Sequence, residues 1–407
     1  MKHLLWCSGN TLLNDDIVGA DNCYLFDSKG NKYVDMTSGE WAAPLGHNHP
    51  EIVQTIKEQT EKIIHNGFSY LTPIVDEAAK KILDILDFNK GKCVFLNSGS
   101  EAVELGAKIV KAIVKKPLFL VLEGSYLGAY GHVGQRRNDE WYNFDFNKCS
   151  GCCFDDGCDS ECEILKAIPF DKMAGFIFEP GSYSGRVSFP HKCCIQTITQ
   201  QIKKNGGLVV VNEITTGIGR TGKWFGFEHY DIQPDIVAMG KGIGNGFPVS
   251  AVALTQNTFE RLEKCDFKHS QSHQNDPLGA AVALEVLRTI QEKKLIERGN
   301  RIGTAFMHEL QSIAEQYSFI KEIRGRGMMI AIEFVGSEDD ELGLFVFNKL
   351  FESGYFVNKR PHLNILRIDM PLTIPEIEVK NFLTCFNRIF NEISVLDIMQ
   401  LNVTQTN

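Results

Sequence analysis

Short apolar runs alternate with helical patterns through the middle of the chain, and this alternation limits the folds available to it. The runs lack the apolar–polar alternation of a half-buried strand, which is typical of strands covered on both faces. They are Cys93–Leu96, Leu118–Leu122, Gly175–Phe178, Leu208–Val211, Asp235–Ala238 and Val249–Leu254. Helical patterns lie between several of them, at Glu101–Val114, Cys194–Lys204 and Pro277–Ile290. This order predicts an α/β fold with a mostly parallel sheet.

The length of 407 residues corresponds to two or three domains. We predict an N-terminal segment over residues 1–50 that packs with a small domain, and a large α/β domain over residues 51–290. Residues 291–407 are predicted to form the smaller α+β domain. That part combines a long helical pattern with three strand-like runs, Met328–Val335, Tyr355–Lys359 and Ile365–Asp369.

Composition and charge exclude several classes of protein. A chain with 43% hydrophobic and 23% charged residues is neither disordered nor collagen-like. The net charge of −9 argues against a nucleic-acid partner, which usually requires a basic face. No apolar run reaches the ~18 residues of a membrane span, and the first residues do not resemble a secretory signal. We therefore expect a cytoplasmic protein without a membrane partner.

Five of the twelve cysteines fall between residues 149 and 162. Their spacing, Cys-x2-Cys-Cys-x4-Cys-x3-Cys, is compatible with zinc or another thiophilic metal. The alternative is a surface insertion with free thiols, which a reducing compartment allows, and we favour it over a metal site. The residues concerned are Cys149, Cys152, Cys153, Cys158 and Cys162.

Lys241 lies where a strand pattern runs into a glycine-rich turn, within Met239-Gly240-Lys241-Gly242. Lysines are seldom buried, and flanking glycines allow a ligand to approach the backbone closely. A desolvated lysine of this kind can form a Schiff base with an aldehyde cofactor. The alternatives are an exposed loop lysine or a dinucleotide-binding turn, although the full glycine spacing of the latter is missing.

Two further segments have the character of ligand sites. Asn97–Ala102 follows a strand and opens a helix, so its N–H groups and hydroxyls could bind a phosphate, or Ser100 could simply cap the helix. Val211–Trp224 places polar residues after an apolar strand, where open α/β sheets bind their ligands. A loop stabilised by side-chain turns is the alternative for this second segment.

Taken together, these segments resemble the class III aminotransferases, the ornithine, acetylornithine and 4-aminobutyrate type. The resemblance rests on Asn-Glu-x-x-Thr-Gly-x-Gly-Arg-Thr-Gly beginning at Asn212, followed by Gly-Lys-Gly around Lys241. Other matching segments are Gly30–Asp35, Leu45–Pro50, Asn97–Ala102, Glu179–Pro180 and Leu366–Leu372. The resemblance covers nearly the whole chain.

This resemblance implies the fold type I architecture of pyridoxal-phosphate-dependent enzymes and a homodimer with shared active sites. The implied reaction moves an amino group from an amino acid to a 2-oxo acid by way of a Schiff base on Lys241 and pyridoxamine phosphate. The same family and cofactor also serve amino-acid racemases or epimerases, decarboxylases and lyases, so these remain alternatives. A non-catalytic relative is a further alternative, although the retained Lys241 argues against it.

The resemblance also implies roles for individual residues at the cofactor. Lys241 would carry the cofactor and later move protons, and Gly99 and Ser100 would hold its phosphate. Tyr126 would stack on the pyridine ring, and Glu179 would lie near it. Two further positions near the cofactor depart from the family. The family usually has an Asp that faces the ring nitrogen where this chain has Asn212. It usually has a Gln near the ring hydroxyl where this chain has Thr215.

Other positions concern the substrate and the partner subunit. Arg367 would bind the substrate α-carboxylate, for which its planar fork is suited, unless it is a surface arginine on an edge strand. Ser272 stands where the family usually has a Thr that reaches the phosphate of the neighbouring subunit. The family's His after the stacking aromatic is Leu127 here. Ser184 replaces a Glu found in members that act on α,ω-diamino acids, which weakens an ornithine-type assignment.

Overall fold

The computed structural model describes residues 3–7, 12–136, 139–149, 162–181, 185–336, 341–360 and 362–404, with only the backbone given for 341 and 395–404. The strands are β1 (Ile17–Asp21), β2 (Tyr24–Asp27), β3 (Lys32–Asp35), β4 (Lys92–Leu96), β5 (Leu118–Leu122), β6 (Trp141–Phe144), β7 (Met173–Phe178), β8 (Leu208–Asn212), β9 (Ile236–Met239), β10 (Ser250–Leu254), β11 (Ile320–Arg326), β12 (Met329–Phe334), β13 (Tyr355–Phe356), β14 (Asn358–Lys359) and β15 (Ile365–Ile368). The helices are α1 (Ser38–Trp41), α2 (Pro50–Thr60), α3 (Pro73–Leu86), α4 (Gly99–Ile113), α5 (Gly131–Gln135), α6 (Glu163–Lys166), α7 (Lys192–Lys204), α8 (Gln256–Glu263), α9 (Pro277–Glu292), α10 (Leu295–Ala314), α11 (Glu341–Glu352) and α12 (Glu376–Thr404).

The central sheet has seven strands in the order β4-β10-β9-β8-β7-β5-β6. The neighbours from β9 to β6 are parallel, whereas β10 runs antiparallel to both β4 and β9. The predicted mostly parallel α/β sheet is therefore confirmed. The edge strand β6 was not predicted, because Trp-Tyr-Asn-Phe is too short and mixed a pattern to be recognised.

Helices cover the central sheet on both faces, which explains its uninterrupted apolar runs. In β8, Val209 and Val211 join the core cluster that also contains residues of α7 and α9. Leu208 and Val210 join a second cluster that contains the buried face of α4. Alternate residues of one strand thus enter two separate cores, and neither face tolerates polar side chains.

The C-terminal part forms an antiparallel sheet in the order β11-β12-β15-β14. The run Tyr355–Lys359, predicted as one strand, is divided between two sheets: β14 pairs with β15, and β13 pairs in parallel with β3. Strand β11 was missed because Ile-Lys-Glu-Ile-Arg-Gly-Arg has a polar, partly exposed pattern. The boundaries 1–50, 51–290 and 291–407 stay predictions. Among the described residues, no helix is both long and apolar enough to cross a membrane.

Candidate active site

Lys241 follows β9 directly after Gly240, at the carboxyl end of the parallel strands. Its backbone has a φ of 45°, in the left-handed region, and its Nζ lies 4.2 Å from the centre of the Trp41 ring. Desolvation lowers the pKa of the Lys241 amine to about 8, and Arg367 and Arg360 act in the same direction, while Glu40 opposes them. A neutral, nucleophilic amine is therefore accessible close to neutral pH.

The N-terminus of α4 lies at the same end of the sheet. Ser98 Oγ accepts the N–H of Glu101 at 3.3 Å, and the Glu101 carboxylate accepts the N–H groups of Asn97 and Ser98 at 2.8 and 3.0 Å. Ser98 therefore caps the helix, and the alternative with Ser100 as the cap is wrong. Within the described residues, the N–H groups of Gly99 and Ser100 have no acceptor. Such a helix end attracts an anion.

Ile214 connects this helix end to the Lys241 turn. A Cβ on Gly99 would lie 2.8 Å from Ile214 Cγ2, and one on Gly240 would lie 3.0 Å from Ile214 Cδ1. A side chain at either position would therefore press against the isoleucine, which lies between the two glycines. The structure thus brings together the three segments that the sequence identified separately: the α4 turn, the end of β8 and the Lys241 turn.

The backbone of Tyr126 is fixed from both sides by strand-end residues. Its N–H donates to Glu179 Oε2 at 3.1 Å, and its carbonyl accepts Asn212 Nδ2 at 3.1 Å. Glu179 and Asn212 are both buried, whereas the Tyr126 residue is 52% exposed. A rigidly held backbone with an accessible aromatic ring suits a residue that covers a flat ligand.

The other two predicted cofactor residues have different surroundings. Thr215 is buried, and its Oγ1 has no hydrogen-bond partner in the described part of the chain. An orphaned buried hydroxyl is costly unless a ligand or water satisfies it. Ser272 is exposed, and its carbonyl accepts Asn97 Nδ2 at 3.3 Å, so its segment lies beside the α4 turn. Its contact with a second subunit stays a prediction.

Arg367 is buried on β15, which lies between β12 and β14. The alternative of a surface arginine on an edge strand is therefore wrong. Its Nε donates to Asp369 Oδ2 at 3.0 Å, and its guanidinium carbon lies 3.6 Å from the Trp41 ring centre. The Nη1 atom is buried and has no hydrogen-bond partner among the residues that the structure describes. Burial raises the pKa of Asp369, although the neighbouring arginines favour its charged form.

Sequence reasoning missed Glu40 and Trp41, which belong to the turn α1. Four consecutive residues there, Ser38 to Trp41, have φ between 49° and 70°. This left-handed turn is costly for non-glycine residues, and such strain often marks functional sites. Asp35 holds it by accepting the N–H groups of Thr37 and Gly39 at 2.7 and 2.9 Å. In the sequence, the only signal for these two residues was that a charged residue precedes an aromatic one between two segments that resemble the family.

These residues fit a particular class of group. They combine a lysine with a lowered pKa, a helix N-terminus for an anion, an accessible aromatic ring and an unsatisfied buried hydroxyl. The fold and the site are therefore those expected of an α/β enzyme with a phosphorylated aldehyde cofactor. Comparison with known proteins identifies the family: the class III aminotransferase model matches residues 9–390, and the chain belongs to that family. Its cofactor is pyridoxal 5'-phosphate, as the sequence predicted.

Several relatives are similar over most of the chain. A leucine/methionine racemase of Thermococcus litoralis is 30% identical, covering 88% of this chain and 86% of its own. An acetylornithine aminotransferase of Caldanaerobacter subterraneus subsp. tengcongensis is also 30% identical, covering 93% and 95%. The crystal structure of acetylornithine aminotransferase from Elizabethkingia anophelis has a TM-score of 0.81 at 26% identity, covering 96% of this chain and 97% of that one. The predicted fold and aminotransferase activity are confirmed.

Asn212 uses both ends of its amide within the protein, since Oδ1 also accepts the Ile214 N–H at 3.2 Å. The next residue in the sequence, Glu213, would be another source of charge if its carboxylate faced the cofactor ring. Its carboxylate instead accepts Thr216 Oγ1 at 2.7 Å and the N–H groups of Gly226 and Phe227 at 2.9 and 2.8 Å. Burial raises its pKa to about 7. The described contacts therefore favour Asn212 as the residue to test.

We expect Asn212→Asp to change the cofactor absorption spectrum and its pH dependence. A carboxylate within ~4–6 Å would raise the pKa of a ring nitrogen by about 1–3 units. The aspartate would also replace the donating amide of Asn212 by an acceptor oxygen, so the hydrogen bond to the Tyr126 carbonyl would be lost. This loss should lower the free energy of unfolding by about 1–3 kcal/mol. Spectra recorded across pH and urea unfolding curves measure both effects, with exposed Asn143→Asp as the control. An unchanged spectrum would show that Asn212 does not face the ring nitrogen.

The cysteine cluster is only partly described. Cys152, Cys153 and Cys158 lie outside the described residues, whereas Cys149 is buried with its Sγ 3.8 Å from that of Cys194. A hydrogen bond from the Cys194 thiol lowers the pKa of Cys149 to about 7. For this segment the surface insertion with free thiols stays the prediction, and a metal site stays the alternative.

Elemental analysis of protein purified without added metal tests that prediction. A metal site should give close to one zinc or other thiophilic ion per chain, lost when the cysteines are changed to serine. The absence of a stoichiometric metal would favour the surface insertion.

Proposed function

We propose that this aminotransferase acts on amino acids with a free α-carboxylate and passes the amino group to a 2-oxo acid. The observation that carries the proposal is the position of Trp41. Its ring lies 4.2 Å from the Lys241 amine and 3.6 Å from the Arg367 guanidinium carbon. A substrate carboxylate on Arg367 would thereby place its α-carbon within reach of the amine that moves protons.

Bound pyridoxal phosphate supplies an electron sink for the bond that breaks at the substrate carbon. The proposed work of the chain is to bind, orient and transfer protons. Arg367 binds the α-carboxylate through two parallel hydrogen bonds. Lys241 Nζ removes the substrate α-proton and holds it for the second proton transfer. Proton transfer of this kind contributes about 10²–10⁴-fold to the rate. Gly99 and Ser100 hold the phosphate at the α4 N-terminus, while Trp41 and Tyr126 limit access of water.

Racemisation is a second candidate because the Thermococcus litoralis relative is a leucine/methionine racemase. A lysine that moves the α-proton can serve either reaction, so the residues described so far do not separate them. Decarboxylation and elimination are further alternatives that share the cofactor. What distinguishes these reactions is the product.

We also propose a homodimer in the cytoplasm, with Ser272 of one subunit near the phosphate of the other. The support is a group of exposed apolar side chains, which a second copy would cover: Ile64, Phe68, Tyr70, Leu71, Tyr126 and Tyr130. Of these, Ile64 and Tyr130 lie beside the α4 turn. Exposed apolar surface of this kind marks an interface. Sedimentation equilibrium measures the stoichiometry, and cofactor retention by Ser272→Ala reports on the shared phosphate site.

The experiment that tests the reaction uses pairs of amines that differ only in the α-carboxylate, such as leucine with isopentylamine and ornithine with putrescine. Each is incubated with the holoenzyme and pyruvate or 2-oxoglutarate, and the amino acid formed from the acceptor is measured. We expect product from the amino acids and little from the matched amines. Equal turnover of both would contradict the proposal. Loss of optical purity without a new amino acid would identify a racemase.

A further inference from the structure

A second group of polar side chains lies beside the α4 turn, apart from the residues assigned to the cofactor and the substrate. His65 Nδ1 lies 2.6 Å from Asp276 Oδ1, and His273 Nδ1 lies 2.6 Å from Asp276 Oδ2. The centres of the two imidazole rings are 4.8 Å apart. Within the described ranges, these residues are the one group of histidine, cysteine and carboxylate side chains whose three ligand atoms lie close enough together for a single metal ion.

Helix capping does not account for the position of the Asp276 carboxylate. Asp276 is the N-cap residue of α9, but its side chain makes no capping hydrogen bond. An aspartate at this position normally accepts an N–H group from the first turn of the helix. Here each carboxylate oxygen faces one imidazole instead, and the side chain is only 15% exposed. The carboxylate is therefore directed at the two histidines.

The loop that carries His273 and Asp276 is fixed on the edge strand β4. The Phe95 N–H donates to Asn275 Oδ1 at 2.9 Å, and the Asn275 N–H donates to the Phe95 carbonyl at 3.0 Å. His273 and Asn275 both have a left-handed backbone, with φ of 63° and 58°. Strain of this kind persists where the surroundings enforce it, and it often occurs at ligand sites. The backbone of two of the three residues is thus held in place before any ligand binds.

His65 comes from a distant part of the chain, the segment between α2 and α3. The side chains of His65 and His273 are 45% and 59% exposed, so both rings are free to rotate. Zinc lies about 2.0–2.1 Å from a ligating nitrogen, so two such nitrogens are at most ~4.2 Å apart. The three ligand atoms already lie within 4.8 Å of one another. Small rotations of the exposed rings are therefore enough to complete a zinc site.

We propose that His65, His273 and Asp276 bind a divalent first-row transition-metal ion, with zinc as the occupant. Imidazole nitrogens and a carboxylate oxygen are ligands of zinc, whereas magnesium and calcium prefer oxygen alone. Each Nδ1 would turn its lone pair to the ion, with the ring proton on Nε2. Three protein ligands leave the fourth tetrahedral position to water. The ion would join the His65 segment to the loop of Ser272, and this does not require the proposed dimer.

Zinc binding to the holoenzyme tests this site. The protein is dialysed first against a chelator and then against buffer, and zinc chloride is titrated in by calorimetry. We expect one site per chain that is at least about 100-fold weaker in His65→Ala and in His273→Ala, since loss of an outer-shell partner alone costs about 10–100-fold. Exposed His308→Ala on α10 is the control and should bind zinc as the parent does. The cysteines are the same in all four proteins, so any zinc that they bind appears equally in each titration.

A role limited to hydrogen bonding gives a different result. His65→Ala and His273→Ala would then lower the thermal midpoint equally with and without zinc, and the four titrations would coincide. Either observation would overturn the proposal. A metal that binds only the native chain raises its thermal midpoint. A zinc-dependent rise in the parent and in His308→Ala, absent from both ligand variants, would support the site.

Discussion

Lys241→Ala is expected to abolish transamination and to leave the cofactor without a covalent bond to the protein. The amine lies at the end of β9, above the Trp41 ring, and its pKa is lowered to about 8 by burial. Loss of proton transfer alone should reduce kcat by about 10²–10⁴-fold, and loss of the nucleophile should reduce it further. Steady-state rates with a responsive amino acid and absorbance spectra of the cofactor measure the two losses.

The covalent bond can be located directly. Borohydride reduction of the parent enzyme followed by peptide mapping should place the cofactor on Lys241. Exposed Lys264→Ala serves as the matched control and should retain both the spectrum and the rate. Cofactor recovered on any other lysine would contradict the role proposed for Lys241. The roles proposed for the residues around it would then be wrong as well.

The large α/β sheet could be predicted because burial on both faces leaves a strong pattern. Leu118–Leu122 was predicted with the observed bounds, and the runs that became β7, β8 and β9 were each within two residues. The weaker elements lie at edges, where polar residues are tolerated. Strands β6 and β11 were not predicted for this reason. The division of Tyr355–Lys359 between two sheets depends on pairing with β3, and no local sequence pattern indicates that pairing.

The site divides in the same way between local and distant signals. Lys241 and the α4 turn could be found because glycines and strand ends mark them in the sequence. Glu40 and Trp41 could not, since their place beside Arg367 depends on a left-handed turn in which only one of four residues is glycine. The salt bridge between residues 40 and 367 joins opposite ends of the chain. Only folding brings such groups together.

Arg367→Lys is expected to impair amino-acid substrates selectively. A lysine keeps the charge but loses the planar fork, so the bidentate contact with a carboxylate cannot form. Loss of such a contact costs about 2–5 kcal/mol, which corresponds to roughly a 30- to 4,000-fold lower kcat/KM. Amines without the α-carboxylate should change much less. Paired kinetics with leucine and isopentylamine measure the difference, and exposed Arg301→Lys on α10 is the control.

Arg367→Gln separates binding from stability, because it also removes the charge next to Asp369. Breaking a buried ion pair costs about 3–5 kcal/mol when the remaining charge has no other partner. Arg220, whose charge also favours ionised Asp369, should reduce that cost. We therefore expect a lower urea midpoint for Arg367→Gln than for Arg367→Lys. Equal losses for leucine and isopentylamine in the stable, folded Lys variant would mean that Arg367 does not select the substrate.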